Sequence, residues 1–183
     1  SIGTWAYNVG PYGESPIPFD TVGKTLSELK FDGLELGGFN GYPNPGNHPE
    51  KEHRDGLKEK MTNWGLSFSG FAQDLWSEQL LNTDDQSKYI SAFKSNVNFA
   101  VDLGIKGVRV DCVQPPTIHA EADFDTLFNR LTKTWDTCIN YAADKGIYVT
   151  WEFEPGFAFN KPSYILKVLD KLQHNNFGLM YDT

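Results

Sequence analysis

Three stretches of helical periodicity in this chain each stop at a glycine, at Trp64-Gly65, Leu103-Gly104 and Lys145-Gly146, and a short strand-forming run follows each of them within three residues. Glycine closes a helix because it accepts the left-handed backbone that ends one. Periodicity over the rest of the chain predicts strands at Ile2–Tyr7, Gly33–Leu36, Leu66–Phe71, Gly107–Asp111, Ile147–Phe153 and Phe177–Tyr181. Between them fall helices near Phe19–Lys30, where Phe19, Val22, Leu26 and Leu29 share a face, and near Lys51–Asn63, Asp84–Leu103, Asp123–Lys145 and Pro162–His174. Strict alternation of strand and helix in units of roughly 30 to 40 residues requires a parallel sheet covered by helices. A doubly wound sheet and a closed barrel share that pattern.

The strand faces separate the two. In a barrel one face of each strand meets the helices and is apolar, while the other points to the axis and, near the carboxyl end, into the site. Leu34 and Leu36 take the helix side and leave Glu35 inward; Val108 and Val110 leave Arg109 and Asp111 inward. Trp151 and Phe153 leave Thr150, Glu152 and Glu154, and Asp182 ends the sixth strand. Charges are rarely buried unless paired or bound to a metal, so ionisable groups on four strands imply mutual pairing, a metal or a polar ligand. Arg109 with Asp111 or Glu35 would satisfy the purely structural option. Glu152 and Asp182 are acceptor-only groups on adjacent strands, which repel unless a cation or a proton lies between them. We therefore expect an α/β fold, a (β/α)₈ TIM barrel represented by about six strands and five helices in a single domain over residues 1–183.

Composition removes several classes. With 24 acidic against 16 basic residues and a net charge of −8, the chain lacks the cationic surface that binds nucleic acid or anionic membranes. No apolar run approaches the roughly 20 residues of a membrane span, and Ser1-Ile2-Gly3-Thr4 does not open a signal peptide, so a soluble, cytoplasmic protein is expected. Cys112 and Cys138 match no zinc spacing and read as reduced thiols. His48, His53, His119 and His174 fall in loops or helices and read as surface residues.

Gly146 to Pro155, with Trp151-Glu152 at its centre, resembles the fifth strand of the xylose-isomerase-like TIM-barrel superfamily, and Phe177 to Thr183, ending Asp182-Thr183, resembles its sixth; Phe31 to Leu36 is similar to its second. The resemblance implies a sugar isomerase or epimerase whose sugar-handling members bind a divalent ion through Glu, Asp, His and Glu from strands five to eight. Carried over, Glu152 and Asp182 match the first two ligands, with Glu154 a rival for Glu152. Strands seven and eight have no counterpart, so the resemblance implies a C-terminally truncated chain whose parent runs roughly 90 to 110 residues further, given the ~250 residues of a typical barrel. The missing initiator Met leaves room for a removed leader.

The implied chemistry is proton transfer through an enediolate, with Glu152 as metal ligand and acid/base and a divalent metal, Mn²⁺ or Mg²⁺ first and Co²⁺, Fe²⁺ or Zn²⁺ also admissible. Trp5, Glu35, Phe39, Arg109, Asp111 and Glu154 are candidate contacts to a small-molecule sugar or polyol, and a homo-oligomer, dimer or tetramer, is expected for the full-length protein. The Gly- and Pro-rich segment Gly37–Pro49 follows strand two and so lies on the catalytic face, offering Phe39 and Tyr42 as apolar platforms. Two other readings stay open: a metal-dependent dehydratase or lyase acting on a polyol or dehydroshikimate-like acid, and a non-catalytic sugar-binding remnant. Phosphodiester hydrolysis at damaged DNA is disfavoured, because Gly37-Gly38-Phe39 and Gln73-Asp74 stand where that chemistry needs histidines.

Overall fold

The computed structural model describes residues 1–113 and 121–181. Among them are six strands, β1 (Ile2–Gly3), β2 (Gly33–Gly37), β3 (Ser67–Ala72), β4 (Gly107–Val110), β5 (Tyr148–Glu152) and β6 (Phe177–Met180), whose order in the sheet is their order in the chain. They run parallel, alternating with helices α1 (Phe19–Glu28), α2 (Lys51–Trp64), α3 (Ser87–Leu103), α4 (Glu121–Asp144) and α5 (Pro162–Lys171). Gly65, at φ 69°, closes α2 with its N–H on the Met61 and Thr62 carbonyls, and α3 and α4 end on glycines of the same hand. No helix among the described residues is long and apolar enough to cross a membrane.

Packing divides the chain into two compact units, with boundaries inside α3 and β4. The first comprises Ser1–Asp74 and Ser95–Val108. Here Leu34 and Leu36 are fully buried on one face of β2, Phe71 of β3 lies 5.5 Å from Phe99 of α3, and the Trp64 ring of α2 lies against Gly23 of α1. The second unit comprises Leu75–Lys94 and the residues from Arg109 onward. Its centre is Trp135 of α4, edge-on to Trp151 of β5 at 5.3 Å and 6.1 Å from Phe177 of β6, with its indole N–H donating to the Tyr89 hydroxyl at 3.1 Å.

Most expected boundaries lie within a few residues of the observed ones, but the first strand does not continue to Tyr7. Thr4–Tyr7 is a 3₁₀ helix, and β1 is two residues long. Its reason is a side chain: Thr4 Oγ1 donates to the Glu35 carbonyl at 3.0 Å and accepts from the Gly37 N–H at 2.8 Å, occupying the edge of β2 that a longer strand would need. Helix α3 begins at Ser87 rather than Asp84: the Asp85 carboxylate accepts from the Ser87 N–H at 2.9 Å, a local turn that competes with the helix before that residue. Strand β5 ends at Glu152 and α5 at Lys171, each short of the expected limit.

Candidate active site

In the first unit the site residues gather where β1 and β2 end. The turn after β1 folds Trp5 back over Gly3, where an added Cβ would lie 2.2 Å from the indole nitrogen, and against Gly37, where it would lie 2.9 Å from the Trp5 backbone. The Trp5 N–H donates to the Glu35 carboxylate at 3.2 Å. Glu35 owes its placement to an irregularity in the β2–β3 register: Leu34 pairs with Phe68 and Glu35 with Gly70, leaving Ser69 as an extra residue. Such a bulge re-aims neighbouring side chains. Glu35 then lies over Gly70, whose missing side chain leaves its carboxylate in ordinary contact range.

Phe39 and Tyr42, in the loop after β2, are buried. Tyr42 packs edge-on to Phe19 at 5.4 Å and donates to the Ile17 carbonyl at 2.7 Å; burial, and then the neighbouring Tyr7, push its hydroxyl up to about 12. The Phe39 carbonyl accepts from Asn8 Nδ2 at 2.5 Å. Gly37 carries a testable consequence. Gly37→Ala forces the Trp5 turn off β2, and the expected cost is about 1–3 kcal/mol, the usual penalty of overpacking a close approach. An unchanged thermal midpoint in this variant would show that the turn yields freely.

In the second unit, the inward residues of β4 and β5 meet. Arg109 Nη1 lies 2.6 Å from Glu152 Oε2, with the two side chains only 10% and 7% exposed. Val108, Val110 and Trp151, the alternating neighbours of this pair, are buried on the opposite strand faces. Arg109 therefore pairs with Glu152, a carboxylate that sequence reasoning had not offered it. Asp111, immediately after β4, accepts from the indole N–H of Trp76 at 2.9 Å. Glu154 is exposed, because β5 ends at Glu152 and the alternation does not carry further; its carbonyl accepts from Phe157 N at 3.1 Å and Asn160 Nδ2 at 3.2 Å in the following turn. The Ala158 N–H donates to the Cys112 carbonyl at 2.8 Å and ties that turn to the residues after β4.

These groups are held by carboxylates, Arg109 and tryptophans. His174 Nε2 stands 2.8 Å from Asp136 Oδ1, His48 and His53 meet edge to face with ring centres 6.1 Å apart, and His119 lies outside the described residues. Cys112 and Cys138 are buried free thiols. Burial pushes both up, Cys138 to about 12, and the nearby Asp111 adds to the shift at Cys112. Trp76 is the participant that sequence reasoning missed. Its only signal was an aromatic residue soon after the third strand, on the side where loops carry function.

As a metal ligand Glu152 offers hard oxygen donors in a buried setting, and the guanidinium 2.6 Å away shows that this carboxylate takes a cationic partner. Among the described residues no three metal-donor side chains converge, and Asp182 lies outside them. The described residues fit one corner of a divalent-ion site.

Parallel strands in chain order, crossover helices between them and polar groups collected at carboxyl ends define an α/β-barrel type of fold. The family model for the xylose isomerase-like TIM barrel matches residues 24–183, and the chain belongs to that family. No curated protein sequence matches it. Among solved structures it is similar to a D-psicose 3-epimerase from Clostridium cellulolyticum H10 crystallised with D-tagatose, at TM-score 0.71 and 14% identity, over 98% of this chain and 62% of that one. It is also similar to a probable 3-DHS dehydratase from Bacillus anthracis, at TM-score 0.69 and 16% identity, over 92% of this chain and 58% of that one. A xylose isomerase-like TIM barrel protein from Mycobacterium smegmatis, in complex with magnesium, aligns at TM-score 0.67 and 13% identity, over 100% of this chain and 63% of that one. The chain thus spans about three fifths of the length of these relatives.

Proposed function

We propose that the protein carrying this chain is a divalent-metal-dependent sugar isomerase or epimerase that works through an enediolate, with Glu152 as its acid/base. The observation that carries this reading is the buried Arg109–Glu152 pair, a carboxylate held in one orientation where β5 ends. Catalytic carboxylates need such positioning, because proton transfer is efficient only when the base lies within hydrogen-bond reach of the proton it takes. Arg109 orients Glu152, and Glu152 takes the proton beside the sugar carbonyl and returns it. Glu152 and Asp182 are proposed to hold the metal, Mn²⁺ or Mg²⁺ by their oxygen donors, with further ligands from the rest of the protein. When bound, the ion supplies positive charge that stabilises the developing enediolate. Trp5, Glu35, Phe39, Arg109, Asp111 and Glu154 are the proposed residues around the sugar.

Similarity to a 3-epimerase supports the sugar substrate, and similarity to a dehydratase keeps elimination as the second reading, since both begin with loss of a proton beside a carbonyl. Incubating the full-length protein with Mn²⁺ and D-fructose in D₂O separates them. The expected result is deuterium entering the carbon-bound positions next to the carbonyl, followed by NMR. Loss of water from a polyol acid supplied in a parallel incubation, with no exchange into D-fructose, would favour the dehydratase, and neither reaction would leave a non-catalytic sugar-binding role.

A further inference from the structure

We infer that Asn40 is a site of covalent modification: its side-chain amide is lost to attack by the Gly41 backbone nitrogen, and the loss releases the loop after β2 from the turn after β1. Of the thirteen asparagines in the chain, Asn40 is the one followed by glycine. A side chain on the following residue hinders the approach of its backbone nitrogen to the amide carbon, and glycine has none. The geometry adds to the sequence. The Tyr42 N–H donates to the Phe39 carbonyl at 3.0 Å, and Asn40 and Gly41 between them stand at φ 44° and 83°, the centre of a tight turn with both residues in the left-handed region. Both are exposed, and among the described residues the Gly41 N–H makes no hydrogen bond. The nucleophile is therefore unengaged, and water reaches the turn.

The step balances with the chain and water alone. Gly41 N, giving up its proton, bonds to Asn40 Cγ; the Cγ–Nδ2 bond breaks, and ammonia leaves carrying that proton. A five-membered succinimide remains. Water then opens the ring: at Cγ it leaves aspartate, and at the main-chain carbonyl it leaves isoaspartate, whose backbone runs through Cγ. The departing Nδ2 is the group that ties the loop down. It donates to the Asn8 carbonyl, while Asn8, itself fully buried, donates from its Nδ2 to the Phe39 carbonyl at 2.5 Å. An aspartate at position 40 is acceptor-only and faces the Asn8 carbonyl oxygen with a negative charge, so the tie becomes a repulsion. Isoaspartate instead lengthens the main chain between Phe39 and Tyr42, and a turn closed by one hydrogen bond does not keep its geometry with an extra atom. The segment set loose carries Phe39 and Tyr42 and lies at the carboxyl end of β2.

Peptide mapping by mass spectrometry tests the modification on the folded full-length protein held at mildly alkaline pH, where the Gly41 nitrogen loses its proton more readily. The exchange of amide for carboxyl is expected at Asn40 before any other asparagine, with isoaspartate in the same peptide. Asn40→Gln, which could close only a six-membered ring, is expected to keep its amide over the same period. If Asn40 keeps its amide in the folded protein while the urea-unfolded protein loses it, or if another asparagine reacts first, the site is overturned. The release is read on Asn40→Asp, where the Tyr42 amide is expected to exchange with D₂O about five- to tenfold faster than in the parent, the effect of one lost hydrogen bond. An unchanged rate would overturn the release. Neither readout depends on turnover, so both stand apart from the sugar reading.

Discussion

Arg109→Met is expected to lower the unfolding free energy by about 3–5 kcal/mol, because it takes a cationic partner away from the buried Glu152 carboxylate. The burial of both partners carries this expectation, since an exposed pair at the same distance would contribute at most about 1 kcal/mol. Replacing both members, as in Arg109→Met with Glu152→Leu, is expected to recover most of the loss, because a well-packed apolar pair of similar volume avoids the desolvation cost altogether. The two roles of the pair then come apart. Glu152→Gln is expected to reduce proton exchange by about 10²–10⁴-fold, the usual contribution of a positioned acid/base, and the double variant should be no more active even where its stability returns. Urea denaturation and the deuterium-exchange assay read the two effects separately. An Arg109→Met protein within about 1 kcal/mol of the parent would mean that water, rather than protein, surrounds the pair.

Trp135→Ala is expected to cost a further independent ~3–5 kcal/mol, the range for removing a large aromatic side chain from a core that cannot collapse around the gap. Trp135 touches Trp151 and Phe177 and donates to Tyr89, so one truncation leaves contacts on two strands and a hydroxyl without its donor. Trp135→Phe keeps most of the ring packing and should lose much less. A far smaller loss in the alanine variant would sink the idea that this cluster is the centre of its unit. The same region predicts a pH effect. Tyr89 is raised well above its ordinary range by burial first and by neighbouring Cys138, and both thiols are raised by burial. Groups raised in the folded state contribute stability that is full below their unfolded values, so the denaturation midpoint should fall as pH rises above about 8.5 and continue falling toward the raised values.

The periodicities of strand and helix are local properties, which is why alternation, glycine stops and the inward side of Glu35, Arg109 and Glu152 could all be read from the chain. Where a side chain competed with the backbone, reading failed: Thr4 replaced most of a strand, and Asp85 moved the start of a helix. Glu154 shares its parity with Glu152, yet it is exposed because regular β5 stops one residue after Trp151.

The sequence by itself determined the parallel α/β architecture, the family and the inward side of Glu35, Arg109 and Glu152, because these follow from spacing along one chain. Tertiary structure alone decided the partners. Sequence reasoning offered Arg109 the carboxylates of Asp111 and Glu35, and the approach of β4 to β5 adds Glu152; the loop after β3 brings Trp76 to Asp111. Pairing of this kind depends on distances between segments 35 to 43 residues apart, to which helical and strand periodicity are blind.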